Sequence, residues 1–340
     1  MDELEKIREL YGEPPADPFL KARVRERLAA EPRRRRLPWT TAVAGLAAAM
    51  AVTVAVAVPG TPGEVRPPGQ TATVSGRSIL LAAAATAEAD PVATSAYWRV
   101  RKLYRQTHPE RLGRGENRYW VVESRLTEQW AARDGRVWSG SRTLGARPAS
   151  GADTEAWRRD GAPTEWSSRD RVLSMSPEKG RLTAVTGRAP FSMAGRGMTF
   201  EQIQGLPADP AALKARVTEA VREGAPTGAL DGVVADALSG LLWSKPSPPD
   251  VRAAAYRALA ELPNVRYLGE AVDERGRKGA AFSFTVQATE TVRRTLIIDS
   301  ASSQVLSSTV TGRPGVVGDQ VEVVLDAGWT DDPPAVPGLP

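Results

Sequence analysis

Two short stretches hold residue types whose spacing suits chemistry. Ser176-Pro177-Glu178-Lys179 has the S-x-x-K spacing of serine acyl-enzymes, in which a lysine one helical turn on reaches the serine hydroxyl. That chemistry needs a helix starting at the serine. Here Gly180 follows the lysine and no apolar helical stripe continues, so a surface turn is expected. In Thr107-His108-Pro109-Glu110-Arg111 the one histidine of the chain stands two residues from a carboxylate, the pieces of a general base and its orienting acid. No serine accompanies it, and a solvated loop histidine is expected. The absence of cysteine excludes disulfides, thiolate nucleophiles and Cys-containing zinc sites, and a single histidine excludes multi-histidine metal centres. No P-loop, H-E-x-x-H, G-x-S-x-G or dinucleotide fingerprint occurs. The chain therefore reads as a non-enzyme without metal or cofactor.

The net charge of +5 over 340 residues suggests a polyanionic partner until its position is considered. Residues 1–38 hold ten Lys/Arg against eight Asp/Glu, and the chain after Val58 holds thirty-five against thirty-two. No face is basic enough to follow a phosphate backbone, so no direct nucleic-acid partner is expected. The basic excess marks membrane orientation instead. Arg33, Arg34, Arg35 and Arg36 precede the uncharged run 39–58, whose twenty residues span about 30 Å as a helix, the thickness of bilayer hydrocarbon. Trp39 suits the interface, and Pro38 and Pro59 bracket the run. Eight basic residues lie within twenty positions before it and two, Arg66 and Arg77, after it. The positive-inside rule places the N-terminus in the cytoplasm and the long remainder outside, a single-pass type II topology in the cell membrane. Ala55 and Ala57 make an A-x-A-like cleavage site, but charged region and apolar run both exceed signal-peptide lengths, and an uncleaved anchor is expected.

Residues 1–36 read as two short amphipathic helices. Leu4, Ile7 and Leu10 share one face, and Leu20, Val24 and Leu28 share another after the cap-and-proline pair Asp17-Pro18. Neither is long enough to be stable alone, so these six residues are candidates for docking on a cytoplasmic partner or the inner leaflet. The segment 59–77 is a Pro/Gly linker. From 78 to 329 the pattern predicts one α+β extracytoplasmic domain. Ser78 caps a helix ending before Pro91; three alternating strands follow, carrying Trp98, Trp120 and Trp130, with Asp134-Gly135 as a turn. Residues 145–170 read as long loops with isolated Trp157 and Trp166. A helical insertion occupies about 206–262, with Asp209-Pro210 and Asp250 as caps, and a five-strand antiparallel meander completes the domain. Residues 330–340 are expected to be a disordered tail. The tryptophans Trp98, Trp120 and Trp130 are expected on one face, as packing for a core or as the lining of a ligand groove.

Several stretches resemble a family of actinobacterial single-pass membrane proteins encoded beside extracytoplasmic-function sigma factors. They are MDELEKIREL, the Arg-flanked anchor, ILLAAAATAEADP with YWRVRK, EQWAARDGR, LPADPAALKARV, and LPNVRYLGEAVDERGRKGAAF with TLIIDSASSQVL. The resemblance implies an anti-sigma-like sensor, with a short inner segment that contacts a sigma factor and a large outer domain. The His/Cys zinc motif of many anti-sigma factors is absent, since the chain has no cysteine. The sheet with inserted helices also looks like the half-barrel of lipoprotein carriers, which suggests an alternative: an envelope lipid- or lipoprotein-binding module with an aromatic-lined sheet. A hydrolase built on Ser176 and Lys179 is the third reading.

Overall fold

The computed structural model describes residues 75–168, 171–187, 189–224, 230–287, 292–313 and 319–339. The inner stripe (Leu4, Ile7, Leu10, Leu20, Val24, Leu28), Arg33 to Arg36, Trp39, the apolar run 39–58 and the linker as far as 74 lie outside them. Among the described residues no helix is long and apolar enough to cross a membrane.

Helix α1 (Gly76–Ala89) starts where the Ser75 hydroxyl accepts the N–H of Ser78 at 3.1 Å. The expected cap at Ser78 is thus replaced by Ser75, three residues earlier, and the last linker positions belong to the helix. Strands β1 (Tyr97–Thr107), β2 (Val121–Ala132) and β3 (Val137–Pro148) form the first meander, with the expected turn at Gly135, whose φ is +83°. Then come α2 (Gly151–Arg159), the hairpin β4 (Glu165–Ser167) with β5 (Val172–Ser174), β6 (Arg181–Ala184), and the hairpin β7 (Phe191–Met193) with β8 (Arg196–Met198). Residues 145–170 are therefore not simply loops. Ser150 caps α2 by accepting the Asp153 N–H at 3.1 Å, and Trp166 lies in β4, opposite Leu173.

The helical insertion comprises α3 (Phe200–Gln204), α4 (Pro210–Gly224), α5 (Leu230–Trp243) and α6 (Pro249–Ala260). The Asp209 carboxylate accepts the Ala212 N–H at 2.8 Å, as the Asp-Pro pair predicts. At α6 the expected cap Asp250 sits two residues too late: Pro248 holds the cap position without a side-chain bond, and Asp250 accepts the N–H of Val251. The second meander follows as β9 (Arg266–Val272), β10 (Lys278–Gln287), β11 (Val292–Asp299), β12 (Gln304–Thr311) and β13 (Gln320–Thr330).

One nine-stranded antiparallel sheet results, in the order β6-β3-β2-β1-β13-β12-β11-β10-β9. The protein is α+β, with the helices against one face of this sheet. Leu80, Ala83, Ala84 and Ala87 recur on one side of α1 and join Ala254, Ala258 and Leu259 of α6 in the core, together with Leu238, Leu241 and Leu242 of α5. Each large apolar side chain fully buried there contributes about 1.5–3 kcal/mol. Small residues let the layers approach: a Cβ on Gly232 of α5 would collide with the Thr285 carbonyl oxygen of β10.

The opposite face has its own cover. Trp130, 2% exposed, lies under the Arg99 guanidinium at 5.1 Å and against the edge of Tyr97 at 6.4 Å. The terminal residues 331–339, expected to be disordered, cross this face. Arg101 donates to the Gly338 carbonyl at 2.8 Å, Arg142 donates to the Pro337 carbonyl at 3.1 Å, and Pro337 fills the space left by Gly140. A smaller core gathers Leu112, Tyr119, Val121, Trp166 and Leu173, where Trp166 donates to the Tyr119 hydroxyl and that hydroxyl donates to Asp160.

Replacing Gly232 by Ala is expected to lower stability by roughly 1–3 kcal/mol, since α5 must move off β10. Gly151→Ala, which meets nothing within 4 Å, serves as the near-neutral control. Equal denaturation midpoints for the two variants would show that the helix–sheet contact is not tight.

Candidate functional site

Alternation along β1 turns Trp98, Val100, Lys102 and Tyr104 towards the helices and their odd-numbered neighbours away. Trp98 stands opposite Trp329 of β13, whereas Trp130 stands opposite Arg99 and so belongs to the other face. Trp120 precedes β2, beneath the Arg111 guanidinium at 5.5 Å, with its N–H bonded to Asp153. The expected groove of Trp98, Trp120 and Trp130 is therefore not assembled. The period-2 pattern within β2 is right, but β1 and β2 pair with Trp98 opposite Ala131, one position out of step with Trp130.

A different trio surrounds a cleft. Trp98 and Trp329 face each other across the β1–β13 pair, and Trp243 arrives from the C-terminal end of α5. Together with Lys245, Ser247 and Arg252 they line a cavity of about 290 Å3, at the lower end of ligand-pocket sizes. The turn 244–248 between α5 and α6 supplies the polar groups, and Ser247 N–H closes it on the Lys245 carbonyl at 2.8 Å. Trp329 is fixed by the Phe200 ring edge-on at 6.2 Å and by the Arg133 guanidinium at 4.3 Å. A larger depression of about 520 Å3 lies along α4, but Lys214, Glu219, Arg222 and Glu223 make it an open charged surface.

Polar atoms around the cleft are short of partners. Trp243 Nε1, Ser247 Oγ and Arg252 Nε are buried and accept or donate no hydrogen bond among the described residues. Arg252 is charge-paired with Asp90 through its other nitrogen. Lys245, 8% exposed, has the Ser244 hydroxyl at 3.4 Å as its one hydrogen-bond partner among the described residues. Its ammonium folds back over Gly240, where a Cβ would come within 2.7 Å, so it rests near the C-terminal, negative end of α5. Burial pushes the Lys245 pKa down to about 8; Asp236 resists this, while Lys102 and Arg294 add to it.

Behind Trp243 lies a buried charge network. Lys102 sits over the Trp243 ring at 5.0 Å and pairs with Glu322 at 3.4 Å, and Tyr104 donates to the same carboxylate. Arg294 bonds Asp236 at 2.5 Å and Ser308 at 2.6 Å. Burial opposes the charge on Glu322, but Lys102, the Tyr104 hydroxyl and Arg294 outweigh it and hold its pKa below the ordinary range. Burial and the neighbouring Glu322 charge raise Tyr104. Among the described residues no cluster of three or more His, Asp or Glu is placed to hold a metal.

The S-x-x-K pair behaves as expected. Ser176 and Lys179 are exposed, outside any helix. His108 does not. It is 7% exposed, its Nε2 lies 2.9 Å from Ser168 Oγ, and its Nδ1 faces the Glu110 carbonyl at 2.9 Å. The partner serine is sixty residues away and out of reach of a local motif. Its N–H bonds Arg171 in the β4–β5 hairpin, so the contact anchors that hairpin onto the end of β1. Sequence reasoning missed Trp243, Lys245, Ser247, Arg252 and Trp329. One available signal was Leu-Leu-Trp243-Ser-Lys245-Pro, a lone cation among prolines at the end of an apolar helix.

The unfolded chain keeps the Lys245 proton up to about 10.5, whereas the folded chain releases it near 8. Between these values the unfolded state binds more protons, so stability rises with pH. The penalty is full below about 8 and gone above about 10.5. Lys245→Met is expected to exceed the parent in stability at pH 7, by up to about 3 kcal/mol, with the gain vanishing towards pH 10.5. Urea denaturation at both pH values measures this; parity at pH 7 refutes the buried-cation assignment.

No family model matches the chain, and no curated protein matches it significantly. Among solved structures, the dehydratase domain from the CurK module of the Curacin polyketide synthase is similar over 76% of this chain and 83% of its own, at 10% identity. The TM-score of 0.12 is too low to carry any inference about fold or activity.

Proposed function

We propose that this chain is a non-enzymatic, membrane-anchored binding protein of the cell envelope that reports ligand occupancy to the cytoplasm. The cleft of Trp98, Trp243 and Trp329 carries this reading, because its apolar walls adjoin the polar and charged residues Lys245, Ser247, Arg252 and Gln304. Aromatic walls with a few convergent polar groups are the usual make-up of a site for an amphipathic small molecule. An antiparallel sheet covered by helices on one face resembles the half-barrel of lipoprotein carriers, an analogy of architecture that agrees with such a ligand.

The run 39–58 holds the domain outside, and the basic residues before it keep the short end in. Leu4, Ile7, Leu10, Leu20, Val24 and Leu28 then form the apolar stripes that dock a cytoplasmic partner, a sigma factor on the resemblance noted above. The non-enzymatic reading rests on two observations: Ser176 and Lys179 are exposed and outside any helix, and His108, with Ser168 Oγ at Nε2 and the Glu110 backbone at Nδ1, is spent on anchoring a hairpin.

A reporter that is active only outside the cytoplasm, fused after the last residue, is expected to light up, while a cytosol-only reporter at the same place stays dark. The reverse pattern refutes the topology. Full-length protein extracted from membranes is expected to co-purify a sigma factor, and Leu20→Asp or Val24→Asp to lose it. Retention of the same partner by both variants would dismiss the inner stripe.

A further inference from the structure

We propose that the slot between Gly140 and Gly180, on the sheet face away from the helices, is a docking groove for a proline-centred segment of a partner protein. In this structure residues 331–339 of the chain itself fill it, as a displaceable stand-in for that segment. The groove is separate from the tryptophan cleft and stands whether or not the cleft binds a ligand.

The groove is built to the shape of its occupant. A Cβ on Gly140 of β3 would come within 2.8 Å of the Pro337 ring, and one on Gly180 within 2.6 Å of Val336 Cγ1. Neither glycine has a positive φ, so the backbone at both places would accept a side chain. Glycine inside a strand weakens it and marks a place where another backbone comes close, as Pro337 does at Gly140. Leu182 of β6, paired with Gly140, flanks the same spot. Pro337 suits a buried seat, since it has no N–H to leave unpaired. Its carbonyl accepts from Arg142 at 3.1 Å, and the next carbonyl, of Gly338, accepts from Arg101 at 2.8 Å. The groove therefore reads one proline ring and two successive carbonyls, with a branched apolar residue before the ring. Docking of proline-containing segments by ring and backbone is a recurring mode of peptide recognition.

The seat is preset, whereas the occupant is lightly held. Arg142 Nε donates to the Glu178 carbonyl at 3.1 Å, and Arg101 Nε lies 2.9 Å from Glu128. Both guanidiniums are thus aimed by partners that remain when the segment leaves, which lowers the ordering cost of binding. Within 331–339 only Pro337 is buried, and Val336 and Leu339 are 51% and 56% exposed. Among the described residues no backbone–backbone hydrogen bond holds 333–339. Such a stretch opens at little cost. Its root is fixed, because Asp331 accepts the Ala96 N–H at 2.9 Å and the Asp332 N–H donates to the Thr330 hydroxyl at 3.1 Å. Release therefore bares the groove and leaves β13 in place. A preformed slot under a weakly bonded occupant suits exchange with a competing segment better than it suits a permanent clasp.

The test uses the full chain in phosphatidylcholine nanodiscs. The chain has no cysteine, so Leu339→Cys takes a single dye, whose anisotropy reads whether 331–339 is seated. The probe is the end-blocked peptide Pro-Pro-Ala-Val-Pro-Gly-Leu, the sequence of 333–339. It is expected to lower the anisotropy, half-way at roughly millimolar peptide, the effective concentration of a short tether. The same peptide carrying Pro337→Ala is expected to need about tenfold more, since the ring is what the slot buries. Gly140→Ala and Gly180→Ala, the second outside any strand, are each expected to lower the anisotropy without peptide and to remove the peptide response. Thermal melts of both variants verify that the fold is intact. No response of the parent up to about 10 mM peptide, while a glycine variant shows release, makes the segment a permanent part of the fold and overturns the docking groove. Equal potency of the two peptides overturns the proline reading. A dye unchanged in both glycine variants overturns the slot as the seat. Self-association in sedimentation that the peptide dissolves makes a second copy the occupant and overturns the partner assignment.

Discussion

The pairing of β1 with β13 joins two meanders that are each locally complete. Strands consecutive in the chain pair to build β1-β2-β3 and β9 through β13, but each would keep an edge of unpaired N–H and C=O groups. Their union removes both edges and creates the nine-stranded face on which the helices rest. It also places Trp98 opposite Trp329. The bulge where Arg101 pairs with Asp326 and Lys102 with Val324 inserts Leu325 into β13 and resets the alternation. On one side of it Trp329 and Ala327 face the helices, and on the other Val324, Glu322 and Gln320 do. Without that extra residue, either the tryptophan or the glutamate would point outward. Cleft and charge network thus depend on the same irregularity.

Ion pairs inside a sheet-and-helix sandwich are poor sources of stability, because dehydration of both charges consumes most of their attraction. Their value here is positional. Lys102 and Tyr104 of β1 meet Glu322 of β13, while Arg294 of β11 meets Asp236 of α5 and Ser308 of β12. These bonds cross the seam between the meanders and tie α5 to the second of them in one register. A slip by one residue would bury an unpaired charge, which costs several kcal/mol. Lys245 is the exception within this order, since no carboxylate lies within salt-bridge distance of it among the described residues.

Elements that are periodic or capped are legible in the chain itself. The meander 265–329, the Asp209-Pro210 start and the Asp134-Gly135 turn all follow from side-chain alternation, a fixed φ or a carboxylate acceptor. Cap positions moved by a few residues at Ser75 and Pro248 because adjacent serines, or a proline beside an aspartate, offer competing starts. Nothing local specifies that β1 pairs with β13, that Ser168 reaches His108, or that 331–339 lies on Arg101 and Arg142. These contacts bring together residues far apart in the chain, and their energy belongs to the assembled sheet. The tryptophan groove failed for the same reason. Alternation assigns faces within one strand, but only the register between strands says which faces coincide.

Trp243 is the wall between the two polar regions. Lys102 lies over its ring from the side of the network, while its ring also lines the cleft, next to Lys245. Lys102 and Arg294 are among the groups that push the Lys245 pKa down, so the network makes the cleft cation less stable as a charge. Lys102 in turn pairs with Glu322, which also accepts from Tyr104, so the wall of the cleft leans on the bond across β1 and β13. A buried lysine without a carboxylate is hard to explain as structure alone, since methionine would fill the volume without the electrostatic penalty.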